Sequence, residues 1–102
     1  MNLLKNIIDD LEENKATDII SIDVSGKTSM TDYLVFATGT SNRHISSLSE
    51  SVYTKLKKLN IRDSRVEGRN SSWIIIDSGD VVVHLFKKES RQFYNIEKMW
   101  SL

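Results

Sequence analysis

Apolar residues recur along this chain with two different periods, and the switches between them outline its elements. In the opening segment Leu4, Ile7, Ile8 and Leu11 return at helical spacing, and Asn2 stands where an N-cap belongs. The period then becomes two. Over "DIISIDV", Asp18 to Val24, the apolar Ile20, Ile22 and Val24 are separated by Ser21 and Asp23, as on a half-buried strand. After the loop "SGKTSMTD" comes "YLVFAT", Tyr33 to Thr38, apolar almost throughout, which is the pattern of a central strand buried on both faces. Helical spacing returns after "TSNRH", whose hydroxyl and amide side chains offer N-caps. There Ile45, Leu48, Val52, Leu56 and Leu59 form one stripe, and Asn60 suits the helix stop. "SRVEG" reads as a short edge strand, "WIIIDSGDVVVHLF" (Trp73 to Phe86) as a hairpin, and "ESRQFYNIEKMW" as a terminal helix with Phe93, Ile96 and Trp100 inward.

This order predicts an α/β (α+β) fold, a mixed β-sheet of about five strands with helices packed on it. Proline is absent, and the four glycines, Gly26, Gly39, Gly68 and Gly79, all fall between periodic segments, where turns belong. With 102 residues and no repeat or linker-like tract, residues 1–102 are expected to form one domain.

Charge and composition narrow the function. Lysine plus arginine and aspartate plus glutamate both number 14, so the net charge is zero. Proteins that hold nucleic acid through phosphates carry a basic excess, so no direct nucleic-acid specificity is expected, despite the local "KLKK" and "FKKESR". No apolar run approaches the roughly 20 residues of a membrane span, and the acids in "MNLLKNIIDDLEENK" do not suit a signal peptide. A cytoplasmic location is the expectation. Cysteine is absent, which excludes disulfides, thiolate metal sites and cysteine nucleophiles.

The hairpin carries the first set of chemically interesting residues, Asp77, Asp80 and His84. If Ser78 and Gly79 are the two loop residues, the aspartates flank the turn and Trp73 lies opposite His84. Trp73, Ile75, Val82, His84 and Phe86 then share one face, while Ile74, Ile76, Val81, Val83 and Leu85 share the other and must meet the helices. His84 is roughly 13 Å along the strand from Asp80, too far for one ion, so neither a metal nor another cofactor is expected here. The Trp73 face is either a second core layer or a contact surface.

A second set lies in "ATGTSNRH", where Gly39, Thr40, Ser41, Arg43 and His44 join a strand to a helix. Such a junction can expose N–H groups to an anion, though one glycine and two hydroxyls fall well short of a Walker A loop. Similar geometry binds nucleotide in polymerase-beta-like nucleotidyltransferases, which need an acidic pair spaced by one residue on the following strand. None follows Gly39 here, so phosphoryl transfer would lack its metal clamp. His44 reads as a cap or surface residue, and Arg43 adds positive charge that suits an anionic partner. No serine sits in a nucleophile elbow, so no residue is assigned as catalytic. In the tail, a docked helix accounts for Phe93, Ile96 and Trp100 and leaves Arg91, Tyr94 and Glu97 for the surface or a partner.

Together, "TGTSNRH", "VEGRNSSWIIIDSGDVVVHLF" and "ESRQFYNIEKMW" resemble the ribosomal silencing factor family, also called iojap-like, over essentially the whole chain. The resemblance implies a nucleotidyltransferase-like topology without its catalytic carboxylates, and a binding protein instead of an enzyme. It implies binding to the large ribosomal subunit through ribosomal protein fourteen, on the face that meets the small subunit. Bound there, the factor would block subunit association and lower translation when nutrients are scarce; free, it would be a homodimer. The family's hairpin tryptophan falls on Trp73, its acidic turn positions on Asp77 and Asp80, and its motif histidines on His44 and His84. Its tail positions fall on Glu89, Arg91, Tyr94, Glu97 and Trp100, and Met99 stands where leucine is expected, a mild change. This places the ribosomal contact on Trp73, the hairpin face with Val82 and His84, the turn residues Asp77 and Asp80, and the adjoining Glu89, Arg91 and Tyr94. The alternative is a degenerate nucleotidyltransferase-fold enzyme that binds nucleotide at the Gly39–Arg43 junction.

Overall fold

In the computed structural model, which describes residues 2–61 and 63–89, two helices and five strands follow one another in the expected order. They are α1 (Leu3–Glu13), β1 (Thr17–Asp23), β2 (Tyr33–Gly39), α2 (Asn42–Lys58), β3 (Arg65–Glu67), β4 (Trp73–Asp77) and β5 (Val81–Lys87). The expected terminal helix, with Phe93, Ile96 and Trp100, lies outside the described residues.

Both helices begin and end by local hydrogen bonding. Asn2 caps α1 by accepting the Lys5 N–H at 3.0 Å, and Ser41 caps α2 by accepting the His44 N–H at 3.1 Å. Each helix stops with a residue in the left-handed region, Lys15 at φ 68° and Asn60 at φ 64°. Past these, the Ala16 N–H reaches the Leu11 carbonyl and the Ile61 N–H reaches that of Leu56, both at 2.9 Å. These are Schellman closures, and Ala16 and Ile61 pack against the core that Leu11 and Leu56 enter. Lys55, Lys57 and Lys58 in the last turn of α2 complement the negative end of its dipole.

The sheet is mixed, in the order β1-β2-β5-β4-β3, with β2 and β5 parallel and the other pairs antiparallel. A bulge between Thr17 and Ile20, with Asp18 at φ 48°, interrupts the β1–β2 pairing. On one face of the sheet Ile7 and Leu11 of α1 and Ile45, Leu48, Val52 and Leu56 of α2 pack on Val35, Ala37, Ile74, Ile76, Val81, Val83 and Leu85. This is the face assignment read from the hairpin's alternation. The other face carries a smaller cluster of Val24, Leu34, Phe36 and Phe86, joined by Ile22, Trp73 and Val82. Strand β2 is therefore buried on both sides, as its apolar run predicts.

The hairpin register differs from the expected one by two residues. Trp73 pairs with Phe86, Ile75 with His84 and Asp77 with Val82. The loop residues are Gly79 and Asp80 instead of Ser78 and Gly79, and the Ser78 N–H donates to the Val81 carbonyl at 3.0 Å. Gly79 sits at φ 89°, whereas Asp80 is not among the residues of positive φ. Glycine in the first loop position is what a type II′ turn requires, and this decides the register. A shift of two leaves every side chain on its expected face but changes its partner.

Gly39, at the end of β2, is fixed by packing. A Cβ there would come within 2.6 Å of Ile45 Cγ2 and 3.1 Å of His44 Nδ1, because the strand end passes beneath the first turn of α2. Ile45 is fully buried and has little freedom to yield. Gly39→Ala should therefore cost about 1–3 kcal/mol. Gly26→Ala, with nothing within 4 Å of its added Cβ, should stay within about 0.5 kcal/mol of the parent in urea unfolding. Equal midpoints for the two variants would show that Ile45 is not constrained as described.

Candidate functional site

The strand registers set side chains in rows across the sheet face that lies away from the helices. One row runs Ile20, Phe36, His84, Ile75; the next runs Thr38, Phe86, Trp73. Four rings thereby come together from three strands. His84 stacks on Phe36 with centroids 5.0 Å apart, and Trp73 stacks on Phe86 at 5.4 Å. Trp73 and His84 are diagonal neighbours at 5.9 Å, within the reach of aromatic side chains.

Trp73 and His84 are also hydrogen-bonded, Trp73 Nε1 to His84 Nδ1 at 3.1 Å. An indole N–H can only donate, so His84 Nδ1 accepts and the imidazole proton sits on Nε2. Burial pushes the His84 pKa down to about 4, so the ring is neutral at pH 7. The indole thus has a fixed orientation at the end of β4, half-buried, on a bed of Phe86 and Phe36 that is almost completely buried. Phe36 was not singled out by the sequence reading. Its position in the β2 alternation was available, but its place beside His84 depends on the parallel β2–β5 pairing.

The other residues of the hairpin lie progressively nearer solvent. Val82 is half-buried on the same face, and Asp77 opposite it is exposed. Asp77 Oδ1 accepts the Gly79 N–H at 2.9 Å, an Asx arrangement that tightens the turn. Asp80 is exposed in the turn, and its carbonyl accepts the N–H groups of Asp32 and Tyr33, both at 3.0 Å. Glu89 is exposed, whereas Arg91 and Tyr94 lie outside the described residues. Asp77, Asp80 and His84 do not converge, and no group of three or more acidic, histidine or cysteine side chains among the described residues could hold a metal ion.

At the β2–α2 junction the polar groups bond to one another. The Thr40 N–H donates to His44 Nδ1 at 2.9 Å, and His44 Nε2 then carries the proton that it donates to the Asn14 carbonyl at 3.0 Å. The Ser41 hydroxyl accepts the His44 N–H. Thus His44 is more than the cap or surface residue expected: it ties the start of α2 to the C-cap of α1. Thr40 and Ser41 serve this link, Gly39 makes room for it, and Arg43 is exposed beside it. The Thr40 and His44 N–H groups at the junction are thus both spent on internal acceptors.

Comparison with known proteins gives this arrangement its context. The family described as ribosomal silencing factor during starvation matches residues 1–102. The chain belongs to the ribosomal silencing factor family. It is 36% identical over 102 residues to the ribosomal silencing factor of Haemophilus influenzae, covering 99% of this chain and 100% of that one. A mouse protein named for mitochondrial assembly of the ribosomal large subunit is 34% identical over 96 residues, which span 90% of this chain but 42% of that longer one. A crystal structure of a Chromobacterium violaceum protein superposes with a TM-score of 0.92 at 40% identity, covering 97% of this chain and 83% of that chain.

Within this family member, His84 leaves a signature in acid. Its unfolded imidazole titrates near 6.5 and its folded one near 4, so between those values the unfolded chain binds the extra proton. The corresponding stability is fully present above pH 6.5, is lost as pH falls toward 4, and amounts to on the order of 3 kcal/mol. Proton NMR of the two histidines should give one imidazole midpoint near 4, and the urea-unfolding gap between the parent and His84→Gln should narrow from pH 7 to pH 4.5. The absence of any imidazole midpoint near 4 would contradict the buried, indole-bonded placement of His84.

Proposed function

We propose that the chain binds the large ribosomal subunit through ribosomal protein fourteen, using the end of the hairpin face where Trp73 lies. Occupancy of that surface excludes the small subunit and represses translation when nutrients are limiting. The observation that carries this reading is the fixed indole of Trp73, half-buried and bonded to a neutral His84. A rigid aromatic side chain at the margin of an apolar bed is the usual form of an interface anchor, because little entropy is lost when a partner covers it. Val82 extends the apolar contact toward the turn, where Asp77 and Asp80 are exposed, and Glu89 is exposed just past β5, with Arg91 and Tyr94 following it in the sequence. Support also comes from the relatives, several named ribosomal silencing factors and one named for assembly of the ribosomal large subunit.

The mechanism is steric and uses no catalytic group. Both histidines have Nδ1 committed to an internal N–H donor, Trp73 for His84 and Thr40 for His44, which leaves neither poised as a general base at that nitrogen. A chain of zero net charge suits a protein target better than a phosphate backbone. The protein acts in the cytoplasm, and when free it is a homodimer.

Sedimentation of purified subunits tests this directly. Added protein should shift joined particles toward free subunits and travel with the large one. Trp73→Ala, checked for folding by circular dichroism, should lose about 2 kcal/mol or more of large-subunit affinity, roughly thirtyfold. Trp73→Phe, which keeps a ring over Phe86, should lose less. Undiminished co-sedimentation of folded Trp73→Ala would move the contact elsewhere, and failure of the parent to bind large subunits would overturn the reading.

A further inference from the structure

We infer that His84 is a contact residue in its own right, whose Nε2–H donates to a neutral carbonyl oxygen of the protein that covers Trp73. This rests on the reading above and adds to it a polar requirement that the partner surface must meet.

The indole decides which imidazole nitrogen is the donor. Trp73 Nε1 can only give a hydrogen, so at 3.1 Å it occupies His84 Nδ1 as acceptor and leaves the ring's proton on Nε2. Stacking holds the ring as well, against Phe36 at 5.0 Å with the planes 18° apart and against Phe86 at 6.2 Å and 10°. Turning the imidazole over would set a carbon against the indole N–H and break that bond. The ring therefore presents one tautomer in one orientation, and little freedom remains to be lost when a partner arrives. None of the hydrogen bonds among the described residues uses the Nε2–H. The one buried side-chain polar atom without a partner among them is Asp10 Oδ2. His84 Nε2 therefore has surface of its own, on a residue that is half-buried as a whole. Solvent takes this donor in the free chain, so a partner that displaces the solvent must bring an acceptor.

The setting of His84 selects the acceptor. Its row neighbours on the sheet face are Phe36 and Ile75, and Phe86 lies against it, so the layer around the donor is apolar. A carboxylate brought onto this layer would lose its hydration for a single neutral donor. An ammonium or guanidinium has no lone pair to offer. A methyl group over Nε2 would leave the N–H dry and unbonded, which costs more than the bond itself contributes. A main-chain or side-chain amide carbonyl accepts without carrying a charge and meets both conditions. Nucleobase carbonyls share this chemistry, but they come with a phosphate backbone that a chain of zero net charge is poorly suited to hold.

The experiment measures binding of full-chain variants to purified large subunits and to isolated ribosomal protein fourteen. Asparagine places its carbonyl oxygen where Nδ1 stands, and glutamine places its amide nitrogen where Nε2 stands. His84→Asn thus keeps an acceptor for the indole and removes the outer donor. It should weaken binding about five- to tenfold while the Trp73 indole proton, followed by NMR, keeps the slow exchange of a bonded N–H. His84→Gln and His84→Met both lose the acceptor and differ in the outer donor, so the glutamine variant should bind about fivefold more tightly than the methionine one. Affinity of His84→Asn within about twofold of the parent with the indole bond intact, or equal affinities of the other two variants, would overturn the inference and leave His84 as a positioning residue for Trp73. A parent that does not bind large subunits would overturn the reading above, and this inference with it. Losses seen on the large subunit and absent on the isolated ribosomal protein would assign the acceptor to RNA and overturn the protein-borne source.

Discussion

The parallel pairing of β2 with β5 is the contact on which both faces of this molecule depend. It joins residues 33–39 to residues 81–87, across the whole of α2, β3 and β4. Seven paired positions bring Val35 and Ala37 beside Val83 and Leu85 on the helical face, and Leu34 and Phe36 beside Val82 and His84 on the other. The β4–β5 turn is anchored at the start of this pairing, since the Asp80 carbonyl accepts two N–H groups from the residues that open β2. At its far end, Gly39 lets α2 pass close over the strand. Such a non-local pair loses loop entropy before it gains contacts, so its side chains must bury deeply on both faces to hold it. They do: positions 34–37 of β2 are buried throughout.

From this constraint follows the unusual setting of a histidine in an apolar layer. Placed in row with Phe36 and diagonal to Trp73, His84 is desolvated and stays neutral, and the only donor required for Nδ1 is the indole next to it. Each polar group thereby satisfies the other without bringing a charge into the layer. The pair adds a directional bond to the stacking that already holds the indole over Phe86. The same bond that solves a burial problem also orients the residue that the proposed function needs.

Periodicity made much of this legible in advance, and geometry explains where it stopped. The stripes of α1 and α2, the Asn2 cap, the Asn60 stop and the division of the hairpin into two faces all follow from spacing alone. The hairpin register does not. "DSGD" accommodates a two-residue loop of either Ser78–Gly79 or Gly79–Asp80, and only the turn type separates them. Face assignment survived because the two registers differ by an even number, whereas the Trp73–His84 contact changed from a direct cross-strand pair to a diagonal one. Nor was the bond from His44 to Asn14 visible, because it spans 30 positions and depends on how α1 docks. Family membership was legible for a different reason: several weak motifs stood at the right distances from one another.

The β2–α2 junction shows how little separates a ligand site from a structural joint. A strand, a glycine, two hydroxyls and a helix start are the same ingredients in both cases. What differs is the destination of the first free N–H groups after the glycine. Here the Thr40 N–H ends on the imidazole of His44 in the first turn of α2, and that imidazole spends its own proton on the Asn14 carbonyl at the C-cap of α1. A cradle for phosphate would need those donors pointing outward together, with His44 withdrawn. Withdrawing it would break the tie between α1 and α2 and leave the Asn14 carbonyl without this donor. The cost of opening the junction therefore falls on the link that His44 makes between the start of α2 and the end of α1.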